Sequence, residues 1–119
     1  MQGRKKQIGK WGEEKSCEFL RRNGYIIIEQ NFYSTVGEID IVAKKGNDIY
    51  FIEVKTRLDK SYANDLSITN LKQRKLKKTI NKYCYKRNIT DEYGLILAGL
   101  IVYIDSVNKK VKFRLVHFY

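Results

Sequence analysis

Glu38, Asp40, Glu53 and Lys55 stand in two apolar stretches, Gly37-Glu38-Ile39-Asp40-Ile41-Val42-Ala43 and Ile49-Tyr50-Phe51-Ile52-Glu53-Val54-Lys55. Acidic residues are poor strand formers, so their place among β-branched and aromatic neighbours calls for a chemical reason. Between the stretches, Gly46-Asn47 suits a two-residue hairpin turn, with glycine at the first central position of type II′. Facing residues then carry numbers that add to 93: Asp40 faces Glu53, Glu38 faces Lys55, and Val42 faces Phe51. Ile39, Ile41 and Ala43, against Val54, Ile52 and Tyr50, form an apolar opposite face. Facing Cβ atoms lie about 4.5–5.5 Å apart, where like charges repel. Two carboxylates so placed need a shared proton or a bridging cation. A hard divalent ion such as Mg2+ fits, because it takes oxygen ligands and often uses only one or two protein carboxylates. A one-residue slip would send the two acids to opposite faces. A solvated strand face with scattered charges is the plainer alternative.

The elements that must position these groups are legible in outline. Lys10 to Asn23 has helical spacing, with Ser16, Cys17, Phe19 and Leu20 inward and Gly24 as the stop. Glu13 lies four before Cys17 and so projects from the inner side of that helix. Tyr25 to Tyr33 is a predicted strand, Ser34 to Gly37 a turn, and Ile39 to Ala43 and Ile49 to Thr56 two more strands. Arg57 to Leu66 reads as loop. Asn70 to Arg87 is a second helix, capped by Thr69, with Leu76, Ile80, Tyr83 and Cys84 inward. Lys72 falls on its inner side near the start, where a lysine commonly snorkels. Leu95 to Ile104 and Lys110 to Phe118 complete the strands. The order α-β-β-β-α-β-β predicts a single α/β domain, a central mixed sheet with helices flanking it. Residues 1–8 are basic and polar and read as an arm preceding a domain over 9–119.

Charge narrows the partner. Lysine and arginine number 24 against 13 acidic residues, a net charge of +11. That balance favours a polyanion, nucleic acid before an anionic membrane surface. Leu66 to Thr90 holds eight basic residues and no acid: Lys72, Arg74, Lys75, Lys77, Lys78, Lys82, Lys86 and Arg87. Cys17 and Cys84 have no metal-ligand spacing and suggest no disulfide framework. The N-terminus lacks the apolar core of a signal peptide. The run from Tyr93 to Ile104 is too short to span a bilayer. These features predict a soluble, cytoplasmic chain in a reducing compartment. His117, the single histidine, receives no role.

The segments Gly9-Lys10-Trp11-Gly12-Glu13, Gly24-Tyr25, Asn31-Phe32-Tyr33, Gly37 to Ala43 and Phe51-Ile52-Glu53-Val54-Lys55-Thr56-Arg57 closely resemble the YraN-like family of bacterial proteins. That family looks like a branch of the restriction-endonuclease-like nucleases, similar in layout to archaeal Holliday junction resolvases. The resemblance implies a metal-dependent nuclease core. Its acid on the first helix would be Glu13, its strand Asp would be Asp40, and its Glu-x-Lys would be Glu53 and Lys55. Lys72 matches the family's lysine at the start of the second helix. On this reading Asp40 and Glu53, with the Val54 carbonyl, would hold Mg2+ or Mn2+. Lys55 would orient water or stabilise the phosphate, and Glu38 would hold Lys55. Lys72, Arg74, Lys75, Lys78, Lys82 and Arg57 would contact a nucleic acid backbone, DNA ahead of RNA. The rival class is a nucleic-acid-binding module that keeps the fold and does not cut. A third is a docked subunit or homodimer paired through the apolar C-terminal segment.

Overall fold

A computed structural model describes residues 2–59 and 70–118. The elements are α1 (Gln2–Arg22), β1 (Ile26–Tyr33), β2 (Glu38–Lys45), β3 (Asp48–Leu58), α2 (Asn70–Lys86), β4 (Gly94–Asp105) and β5 (Lys110–His117). The chain is thus a single α/β domain in the expected order, with one five-stranded mixed sheet ordered β1-β2-β3-β4-β5. All neighbouring strands pair antiparallel except β3 and β4, which are parallel. A parallel pair needs a crossover connection, and α2 lies within it.

Strand alternation sorts the apolar residues of β2 and β3 onto two faces. Ile41, Ala43, Tyr50 and Ile52 pack with Cys17 and Leu20 of α1. Val42, Ile49 and Phe51 pack with Ile80 and Tyr83 of α2. Each face therefore buries an apolar layer under its own helix, and the two layers hold β2 and β3 at the centre. Phe19 of α1 also stacks on Phe113 of β5, with ring centroids 4.5 Å apart. On the other face Tyr83 meets Phe32 edge-on at 5.0 Å.

Two of the boundaries that differ from the sequence reading bear on the site. The first helix begins at Gln2 rather than Lys10, so the segment expected as a basic arm forms its opening turns. Arginine, lysine and glutamine are good helix formers, and their charge does not prevent it. The third strand continues to Leu58 rather than Thr56, because its ladder with β4 runs on to Leu58↔Ile104. The proposed Thr69 cap lies outside the described residues, as does the loop reading from Lys60 to Leu66. Among the described residues, no helix is long and apolar enough to cross a membrane.

Candidate active site

The hairpin register is the expected one. Ile41↔Ile52, Val42↔Phe51, Ala43↔Tyr50, Lys44↔Ile49 and Lys45↔Asp48 all add to 93. At the turn Gly46 has φ +62° and Asn47 is not in the left-handed region, as type II′ requires. The ladder stops at Ile41↔Ile52, one step before Asp40 would meet Glu53. There the Val54 N–H donates to Asp40 Oδ2 at 2.8 Å. A side-chain oxygen thus takes the place of a main-chain partner, and the two strands part. Each remains held by its outer neighbour: β2 by β1 through Phe32↔Ile39 and Tyr33↔Glu38, and β3 by β4 through Leu58.

This fork corrects two details of the sequence reading. Glu38 lies opposite Tyr33 of β1, and the cross-strand pair with Lys55 does not form, because β2 and β3 have separated by then. Ile39 does not share a face with Ile41 and Ala43. It is buried with Phe32 and Tyr83 beneath α2. The alternation of β2 breaks at Asp40, opposite which Asn31 of β1 sits in the left-handed region at φ +55°.

Four acids gather at the fork. Glu13 of α1, Glu38 and Asp40 line an open groove of about 650 Å³ with Gln7, Lys10 and Tyr33. On the α2 side a cavity of about 220 Å³ is bounded by Glu38, Asp40, Glu53, Lys72, Lys75 and Thr79, among others. Glu38 and Asp40 belong to both. Burial raises the pKa of Asp40 to about 6; the Val54 amide opposes this, Glu38 and Glu53 add to it, and Lys72 opposes it. The Glu13 carboxyl is also raised, first by burial and then by the charges of Asp40 and Glu38. Glu53 Oε1 receives the Lys72 ammonium at 2.7 Å. Its Oε2 is buried with no hydrogen-bond partner.

Glu13 reaches the groove because α1 approaches β3 closely at Gly12. A Cβ at Gly12 would collide with the Thr56 side chain. Gly12→Ala is therefore expected to push α1 off the sheet and to destabilise the fold by about 1–3 kcal/mol. Urea unfolding would measure it, and an unchanged midpoint would mean the helix can shift freely.

The donor set suits a hard divalent cation. The N–H and C=O of a strand residue point to the same edge, so the Val54 carbonyl faces the gap into which its amide donates. Asp40, the unpartnered oxygen of Glu53 and this carbonyl are all oxygen donors, the chemistry of Mg2+ and Mn2+ rather than of softer metals. Among the described residues, no group of three or more His, Cys, Asp or Glu side chains is placed to hold a metal ion. Glu13 and Glu38 are thus electrostatic neighbours of the pair and not further ligands in this arrangement.

The remaining expected residues are distributed around the fork. Lys55 is half-buried two residues beyond Glu53, opposite Ile101 of β4, and lines neither cavity. Arg57 lies further along β3, and its Nη1 donates to the Thr56 carbonyl at 3.1 Å. Lys72 and Lys75 line the α2-side cavity. Arg74 and Lys78 are exposed on α2. Lys82 donates to Thr35 Oγ1 at 2.8 Å, tying α2 to the β1–β2 turn. The sequence reading gave no site role to Lys10 or Tyr33, both in the groove. The Ser34 to Gly37 turn already places Tyr33 across from Glu38, which was the available signal.

The protein is thus an α/β domain with an acidic fork in its sheet, flanked by a basic helix. Residues 12–114 match the uncharacterised protein family UPF0102, and the chain belongs to that family. It is similar to a UPF0102 protein of Caldicellulosiruptor saccharolyticus, 45% identical over 114 residues, covering 94% of this chain and 95% of the relative. It is also similar to a UPF0102 protein of Clostridium botulinum strain Loch Maree, 38% identical over 112 residues and covering 93% and 91%.

Proposed function

We propose that this protein is a Mg2+- or Mn2+-dependent phosphodiesterase that cuts DNA or another structured nucleic acid. One observation carries the reading: at the strand fork Asp40 stands beside Glu53, whose second oxygen is buried without a partner. Asp40, Glu53 and the Val54 carbonyl would hold the ion. When bound, it supplies Lewis acidity and an activated water at neutral pH. Val54 N–H fixes the orientation of Asp40. Glu13 and Glu38 deepen the negative potential that attracts a cation into the groove. Lys55, following Glu53 along β3, orients water or meets charge developing on the phosphate. Lys72, Arg74, Lys75 and Lys78 of α2, with Lys82 and Arg57, contact the sugar-phosphate backbone. Such contacts give affinity and salt dependence without sequence readout.

Incubation with branched and single-stranded DNA and Mn2+ tests this. Cleavage is expected with wild type and absent with Glu53→Ala, while DNA binding persists in the variant. DNA binding without cleavage, and no Mn2+ heat in calorimetry, would instead support a non-catalytic nucleic-acid-binding protein on the same fold. The lysine already seated on Glu53 Oε1 is the observation favouring that alternative.

A further inference from the structure

Lys72 spans from the first turn of α2 to β3 and sets its Nζ 2.7 Å from Glu53 Oε1. The two side chains are unequally held: Lys72 is 51% exposed and Glu53 17%. An ammonium on a flexible, half-exposed stem leaves such a contact more readily than the carboxylate, which is packed into the fork. The ammonium and a divalent ion would also compete for the same anionic charge. Lys75, three residues on, shares this face of α2 and borders the same cavity of about 220 Å³. A phosphate entering there would meet both lysines and would give Lys72 an alternative anion.

We propose that Lys72 is a positioning residue that exchanges between Glu53 and a backbone phosphate, so that nucleic acid binding and divalent-ion binding at the fork are coupled through this one side chain. The ion arm rests on the phosphodiesterase reading; the phosphate arm needs only nucleic acid binding. Coupling of this kind is reciprocal: whatever draws Lys72 off Glu53 favours the ion, and whatever removes the need for Lys72 at Glu53 favours the phosphate. Lys72 is not assigned to the reacting atoms. Its work is to keep Glu53 neutralised until a strand is present.

Two measurements on the full chain test this. Mn2+ titration without nucleic acid is expected to show about fivefold or tighter binding in Lys72→Met than in wild type. Lys72→Arg, which keeps the cation, should stay close to wild type. Binding of a single-stranded oligonucleotide in EDTA forms the second arm. Glu53→Gln should tighten it about fivefold in the wild-type background and leave it unchanged when Lys72 is methionine. Equal tightening in both backgrounds, or Mn2+ affinity that is unchanged or weaker in Lys72→Met, overturns the coupling. Glu53-dependent cleavage with an additive cycle would leave the phosphodiesterase standing and this inference fallen. A non-additive cycle without cleavage would leave the exchange of Lys72 between Glu53 and phosphate standing and the phosphodiesterase fallen.

Discussion

Asp40→Asn is expected to make the metal-free protein more stable at pH 7 and, at the same time, unable to bind Mn2+ tightly or to cut. Burial holds the Asp40 carboxyl at about 6 against an ordinary 3.8. At pH 7 the group is ionised in both folded and unfolded chains, and the folded chain bears the cost. A shift of this size corresponds to about 3 kcal/mol. Asparagine removes the charge and keeps an oxygen that can accept from Val54 N–H, so a gain of about 1–3 kcal/mol is expected. For a chain of this length that raises the melting temperature by roughly 5–10 °C. The sign also sets a pH window. A raised carboxyl pKa means the folded state binds the extra proton between 3.8 and about 6. Wild-type stability therefore falls, on this group's account, as pH rises through that interval. The advantage of asparagine is full above about pH 6 and fades toward pH 4. Calorimetric melting in EDTA at both ends checks it. Excess Mn2+ should then raise the wild-type melting temperature and leave the variant where it was. A variant less stable than wild type at pH 7 in EDTA would mean the carboxylate is welcome as an anion, and the electrostatic case for a cation would be lost.

A site that stabilises the fold when disarmed is what a binding centre built by burial should look like, since function then opposes stability. The same tension explains why part of the site was legible in the sequence. Acids in a strand violate local preference, and a violation without a compensating neighbour marks a site. Gly46-Asn47 converted that anomaly into a register, and the register held for every pair up to Ile41↔Ile52. The next step was not legible. Period-two alternation carries no information about a side chain that bonds main chain on the neighbouring strand, and Asp40 does so with Val54. At that bond the ladder ends, Glu38 and Lys55 are not paired beyond it, and Ile39 lies in the other layer. The start of α1 was hidden for a different reason. Its first turns have no apolar stripe to give a period, so a run of good helix formers read as an arm. The apolar stripe of α2, by contrast, showed in Leu76, Ile80, Tyr83 and Cys84, which pack as a layer. The Lys72–Glu53 contact joins a helix to a strand through the tertiary fold, and only the placement of Lys72 on the inner side hinted at it.

Mn2+ affinity should rise steeply with pH up to about 6 and then level. An ion can settle on Asp40 only after displacing its proton, and that proton is held to about pH 6 in the free protein. Below this point each unit of pH should weaken binding about tenfold through Asp40 alone. Titration at pH 6 in buffers of differing ionisation enthalpy should report about half a proton released per ion, falling toward zero by pH 7.5. Glu38→Gln should move the midpoint downward, since one of the charges holding Asp40 high is gone. The cleavage rate should follow the same curve below pH 6, because loading of the fork precedes any chemistry there. Affinity that is flat between pH 5 and 7, with no proton released, would place any bound ion away from Asp40, and the acidic fork would then be a strained joint in the sheet and nothing more.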